Sequence, residues 1–153
     1  MAADFKRATV ADTETLLVLL REFYAHEGIA FDEAIARPAL LGILQNEAYG
    51  RAFLICLGEE LAGYCVLTLG YSLEFRGVDA IVDELYLREA YRGRGLGKQA
   101  LEFLAACCAE LGVQAMHLVV ERANTRARAV YREFGFVNYD REMMTKWLEP
   151  AAR

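Results

Sequence analysis

The residues best suited to chemistry lie between Ala80 and Lys98. Two carboxylates, Asp83 and Glu84, stand inside an apolar run with Ile81, Leu85 and Leu87. The run leads into a basic, glycine-rich turn, Arg92-Gly-Arg-Gly-Leu-Gly97, followed by Lys98. An apolar-periodic segment then continues to Leu111. A strand, a glycine turn and a helix start in that order make an anion site. The first N–H groups of a helix have no internal partner, and the helix dipole adds partial positive charge there. Glycine allows positive φ and lets a ligand approach the backbone closely. The turn therefore reads as a phosphate cradle. Its spacing excludes two phosphate sites. A Walker A loop needs glycine where Arg92 stands and Ser or Thr where Gln99 stands, and a dinucleotide fingerprint needs G-x-G-x-x-G, whereas the glycines here are 93, 95 and 97.

The elements that must position this stretch follow from periodicity. Phe5–Thr9 is a short strand. Asp12 or Thr13 caps a helix with Leu16, Leu19, Leu20 and Phe23 on one face, ending at Gly28. Asp32 caps a second helical stretch that Pro38 is expected to split. Arg51–Leu57 and Leu61–Leu69 form a hairpin around Gly58-Glu-Glu60, and Gly70–Asp79 links it to the strand 80–87. Asp83 and Glu84, as neighbours in a strand, should point to opposite faces. After the glycine turn, Leu96, Ala100, Leu101, Leu104, Cys108 and Leu111 make one helical stripe, stopped by Gly112. Ala115–Glu121 is expected to be a strand buried on both faces, parallel to 80–87 through a right-handed crossover. Thr125–Phe134 is a basic helix. Phe136–Leu148 reads as closing strands, with Met143, Met144 and Trp147 in the core. The fold class is α/β (α+β), with a mixed, mostly antiparallel central sheet, parallel central strands and flanking helices. Residues 1–153 form one domain.

Composition narrows the function. The 153 residues are 56% apolar and 25% charged, as in a globular chain. No apolar run approaches the ~20 residues that span a bilayer, and the start lacks a signal-peptide pattern. A net charge of −5 argues against a nucleic-acid partner. Cys56, Cys65, Cys107 and Cys108 lie in apolar segments without metal-ligand spacing to His26 or His117, as expected of reduced thiols in a cytoplasmic protein. Charge is segregated along the chain. Arg88, Arg92, Arg94 and Lys98 against Glu89 leave +3, whereas Glu74, Asp79, Asp83 and Glu84 against Arg76 leave −3. The pattern suits a polyanionic ligand beside a cationic one.

A second motif follows downstream: Asn124-x-x-Ala-x-x-x-Tyr131-x-x-x-Gly135-Phe136. Together with Arg92-x-x-Gly95-x-Gly97 it resembles the GNAT superfamily of acetyl-CoA-dependent N-acetyltransferases, over about residues 50–140. The resemblance implies acetyl-CoA as cosubstrate. Its pyrophosphate would lie on the backbone of Gly93, Arg94, Gly95, Leu96, Gly97 and Lys98, with Arg92 and Arg94 assisting by charge. Its pantetheine would run along the strand at Leu85, Tyr86 and Leu87, and an N–H near Leu85 would polarise the acetyl carbonyl. Asn124 would cap its helix and bond the pantetheine. Tyr131 matches the general acid. A phenol of pKa near ~10 stays protonated and can donate to a thiolate of pKa near ~8.5. Glu84 is the first candidate for the base and Asp83 the second, with Glu121 behind them.

The implied reaction is direct acetyl transfer to a primary amine, a small cation such as a diamine or polyamine, with a homodimer expected at family level. Two other functions use the same motifs: acetylation of peptide or protein N-termini or lysines, and non-catalytic acyl-CoA binding. Tyr24, Tyr64, Tyr71 and Tyr86 either line the amine pocket or pack the core.

Overall fold

The computed structural model describes residues 1–149. Positions 150–153, the tail of the expected domain, lie outside the described residues. The elements in order are β1 (Asp4–Arg7), α1 (Thr13–Glu27), α2 (Glu33–Gln45), β2 (Gly50–Leu57), β3 (Glu60–Ser72), β4 (Gly77–Leu87), α3 (Leu96–Glu110), β5 (Ala115–Leu118) and α4 (Thr125–Phe134). One sheet carries the strands in sequence order. Its first three pairings are antiparallel, and β4–β5 is parallel. The helical crossover through α3 is what allows that last pair to run parallel. The architecture is the mixed, mostly antiparallel sheet with flanking helices that the sequence implies.

Each sheet face has its own core. Phe53, Ile55, Leu67, Ala80 and Val82 pack under Leu96, Ala100 and Leu104 of α3. On the other face Ala52, Leu54, Tyr64 and Tyr86 pack under Leu16, Leu19 and Leu20 of α1 and Leu40 of α2. A fully buried leucine contributes roughly 1.5–3 kcal/mol, so these two layers dominate the stability.

The sequence expectations need four corrections. First, α2 runs through Pro38 unbroken. Proline in the second turn costs about 3 kcal/mol in a lost bond and a clash. Continuing the helix buries Leu40 and packs Ile43 and Leu44 against the α1 core, which offsets that cost. Second, Asp83 is the extra residue of a β-bulge: Leu67 pairs with Val82 and Val66 with Glu84, leaving Asp83 opposite nothing. The alternation of faces resets there. Ala80 and Val82 lie on the α3 face, and past the bulge so do Leu85 and Leu87, while Tyr86 joins the α1 face. The strict alternation that predicts opposite faces for Asp83 and Glu84 is therefore interrupted at Asp83 itself.

Third, β5 ends at Leu118 and is only half-buried along its length. It follows β4 for four pairs, Asp79–Ala115 through Val82–Leu118, and stops just before the bulged Asp83. Its outer edge meets no strand among the described residues. Fourth, the closing strands expected over 136–148 are not formed within the described residues. Met143, Met144 and Trp147 are exposed rather than core. The segment is held by surface contacts instead, an Arg141–Glu74 ion pair at 2.7 Å and the Tyr139 ring 5.5 Å from Phe75.

Leu104, wholly buried, joins α3 to the sheet. Leu104→Ala is expected to lower unfolding free energy by about 2–5 kcal/mol, read from urea denaturation. A change under about 0.5 kcal/mol would mean that α3 is not seated by this core.

Candidate active site

β5 stops at Val82 of β4, so residues 83–87 of β4 have one free edge, and a cleft of about 410 Å³ opens beside it. Leu85, Tyr86 and Leu87 line it from the strand, Arg92, Gly97 and Leu101 from the turn and α3, and Asn124, Arg126, Ala127, Val130 and Tyr131 from α4. Both faces of β4 reach the cleft, because Leu85 and Leu87 belong to one face and Tyr86 to the other. The two motifs, far apart in sequence, thus converge on one cavity.

The mouth of α3 is suited to an anion. Gly93 and Gly95 hold φ of +73° and +78°, a region that costs an L-residue roughly 1–2 kcal/mol. A Cβ at Gly93, Gly95 or Gly97 would meet no heavy atom within 4 Å, so the space over the turn is open to a ligand. The first helical N–H to find an internal partner is that of Gln99, bonded to the Gly95 carbonyl at 3.1 Å. No side chain caps α3 and no acidic residue stands in its first turn. In α2, by contrast, Asp32 accepts from the Ala34 N–H, and in α4 Asn124 accepts from the Ala127 N–H at 3.1 Å. The N–H groups of Leu96, Gly97 and Lys98 fit a phosphate group by this measure. Arg92 is partly engaged already: its Nε donates to the Leu87 carbonyl at 2.8 Å, and its guanidinium lies 5.7 Å over the Tyr86 ring. Arg94 lies over the Tyr91 ring at 5.5 Å.

Tyr131 projects into the cleft. Burial, and secondarily the charge of Glu27, push its phenol above its ordinary pKa, so it is protonated at neutral pH. Asp83 and Glu84 do not line the cleft that holds Tyr131. Glu84 points toward α1, two residues along β4 from Tyr86, where the Tyr24 and Tyr64 hydroxyls donate to it at 2.9 and 2.8 Å. Neither carboxylate pairs with an arginine in the described structure. Burial raises the Glu84 carboxyl most, Asp83 raises it further, and the two phenols act in the opposite direction. Asp83 reaches solvent at the sheet edge, and burial of its surroundings raises it too. Phe23 links the two regions: it lines the cleft and packs 6.0, 6.3 and 5.5 Å from Tyr24, Tyr64 and Tyr86.

Among the four tyrosines, Tyr64 and Tyr86 are core, Tyr24 binds Glu84 and Tyr71 is exposed. Glu121 is exposed beyond β5. The acidic stretch 74–84 does not converge either, since Arg141 holds Glu74 and His117 lies 3.1 Å from Asp79. Phe23, His26 and Glu27 of α1 reach the cleft without any motif to mark them. They reach it because α1 packs on the sheet face beside the cleft, where Glu22 also meets Arg88. Arg88 donates to both Glu22 oxygens at 2.9 and 3.0 Å and to the Leu61 carbonyl at 3.3 Å, fixing α1 to the end of β4. Burial keeps the cysteine thiols protonated, with Cys65 pushed up to about 12 and Cys108 to about 11.

Comparisons with known proteins identify the family and the fold. The model of the acetyltransferase (GNAT) family matches residues 15–136, from α1 to the end of the second motif. Thialysine N-epsilon-acetyltransferase of Bos taurus is 26% identical over 144 residues, covering 85% of this chain and 81% of its own. L-methionine sulfoximine/L-methionine sulfone acetyltransferase of Pseudomonas aeruginosa is 25% identical over 141 residues, covering 89% of this chain and 81% of its own. Among solved structures, an integron cassette protein from the mobile metagenome of Cole Harbour Salt Marsh has a TM-score of 0.85 and 34% identity, over 96% of this chain and 91% of its own. The likeness therefore includes every element around the cleft.

Gly95→Val tests the turn. A side chain forced to positive φ should distort the α3 mouth and weaken CoA binding about tenfold or more, measured by titration calorimetry. Unchanged affinity would mean that the anion binds elsewhere.

Proposed function

Because the chain belongs to the acetyltransferase (GNAT) family and is thereby an N-acetyltransferase, we propose that it moves acetyl from acetyl-CoA directly onto a small cationic primary amine, such as a diamine or polyamine. The observation that carries the proposal is one cleft lined by the α3 mouth, the free edge of β4, Asn124 and Tyr131. In it the N–H groups of Leu96, Gly97 and Lys98 bind the pyrophosphate, and Arg92 and Arg126 add positive charge. The backbone of Leu85 and the N–H of Leu87, on the edge that β5 leaves open, take the pantetheine as if it were a further strand, while Arg92 already holds the Leu87 carbonyl. The Leu85 N–H polarises the acetyl carbonyl. When bound, acetyl-CoA supplies the activated acyl group.

Two protons move as the carbon–sulfur bond breaks and the carbon–nitrogen bond forms. Glu84 takes one from the amine, directly or through a water, and Tyr131 gives one to the departing thiolate. Their positions suit opposite roles. Tyr131 stands across the cleft on α4, while Glu84 lies on the α1 side of β4 and continues the face of Tyr86. The amine thus enters from α1 and the thiol leaves toward α4. Burial favours both roles: it keeps the Tyr131 phenol protonated and raises Glu84 toward working pH. Asp83, Glu84 and Glu27 supply the negative charge for a cationic substrate. A flexible diamine suits this arrangement, because Glu27 lines the cleft and Asp83 and Glu84 stand next along β4 from Leu85, within reach of a second ammonium on a short chain. The relatives named for thialysine and methionine sulfoximine support a small amine.

Tyr131→Phe should lower kcat by roughly 10²-fold or more while leaving CoA affinity unchanged. Released CoA is quantified by chromatography over polyamines, amino acids and short peptides. Unaltered turnover would remove Tyr131 from the mechanism, and turnover confined to peptides would overturn the substrate class.

A further inference from the structure

Glu84 is held by two phenols from separate elements, one on each oxygen. Tyr24 Oη of α1 donates to Oε2 at 2.9 Å, and Tyr64 Oη of β3 donates to Oε1 at 2.8 Å. We infer that Tyr24 and Tyr64 are positioning residues for the base, with Tyr64 as a fixed donor and Tyr24 as an exchangeable partner that donates to the carboxylate and accepts from the carboxyl once it is protonated. The inference rests on Glu84 being the base.

The two tyrosines differ in freedom. Tyr64 is wholly buried, pairs across the sheet with Tyr86, and has Phe23 and Tyr86 against its ring. It cannot turn without opening the core. Tyr24 is half-buried near the end of α1, edge-on to Phe31 of the α1–α2 connection at 5.9 Å. A phenol both donates and accepts. Once Glu84 takes a proton on Oε2, its new O–H donates to Tyr24 Oη, whose own O–H turns outward. One hydrogen bond replaces another, and no proton is lost or left over. Tyr64 meanwhile keeps its bond to Oε1 and holds the carboxyl in place. The groups facing Glu84 are Tyr24 from α1, Tyr64 from β3 and Asp83 from its own strand. Nearby, Glu22 and Arg88 neutralise each other.

The sign of the effect is fixed. A donor to a carboxylate stabilises the charged form, so removing it raises the carboxyl pKa. Asp83 and burial already push the same way. In Tyr24→Phe, Glu84 should stay protonated to higher pH. The Glu84 titration is followed by NMR of protein labelled with ¹³C at glutamate side chains, with Glu84→Gln identifying the signal, and it needs no amine substrate. The midpoint is expected to rise in Tyr24→Phe; an unmoved midpoint overturns the inference. Tyr64→Phe should raise it as well and also lower the unfolding temperature. Kinetics provide the second readout. kcat/KM of Tyr24→Phe should be about tenfold below wild type near pH 6 and close to it near pH 9. A loss equal at both pH values would mark a merely structural role and overturn the inference. Full turnover by Glu84→Gln would instead sink the base assignment, whatever Tyr24 does to the titration.

Discussion

The site depends on one interruption in the sheet. Asp83 bulges from β4 opposite the Val66–Leu67 step of β3, and two consequences follow from that single unpaired residue. β5 gives its last pair at Val82, beside the bulge, so a stretch of strand with an open edge faces the cleft. The faces also exchange. Without the bulge, Glu84 would continue the series Ala80–Val82 into the apolar layer beneath α3, where a carboxylate could not be solvated. With it, Glu84 turns to the α1 face, where two hydroxyls satisfy it, and Leu85 and Leu87 fill the α3 face. Bulges beside functional sites commonly re-aim side chains in this way.

Around the open edge, the helices differ in how their ends are completed. Asp32 and Asn124 close the first turns of α2 and α4 with side-chain acceptors. The α3 turn has none, and its glycines hold positive φ over open space. A helix start left without an internal acceptor needs an external one, which is how binding energy is reserved for an anion. Rigid seating of α3 on the sheet by Leu96, Ala100 and Leu104 keeps that mouth fixed relative to β4. The Glu22–Arg88 pair does the same for α1 on the opposite side.

Electrostatics complete the division. Cationic groups, Arg92 and Arg126, stand where α3 and α4 meet the cleft, while Glu27, Asp83 and Glu84, which pair with no basic side chain among the described residues, stand on α1 or on β4. Glu74 and Asp79, although close in sequence, are taken up by Arg141 and His117. A run of charge that is contiguous in sequence is thus partitioned by tertiary contacts before it can act as a field.

By itself the sequence determined the parts governed by local rules. These are the helix starts at Asp32 and Asn124, the stops at Gly28 and Gly135, the hairpin at Gly58, and the glycine turn before α3. They also include the two motifs, whose residue types and spacing need no tertiary knowledge. What only the tertiary structure decided is how distant or competing demands were resolved. Pro38 stays inside α2 because burial of Leu40 outweighs a local penalty. The segment 136–149 lacks strand pairing although its apolar residues suggest it, because pairing is a property of partners rather than of composition. Phe23, His26 and Glu27 join the cleft only because the α1 leucines pack on the sheet beside it and the Glu22–Arg88 pair ties the helix to the end of β4. The face of Glu84 was fixed by a bulge whose trace in the sequence is slight. Apolar positions 80 and 82 give way to 85 and 87, and a change of parity cannot be told from noise until β3 supplies the register against which it is counted.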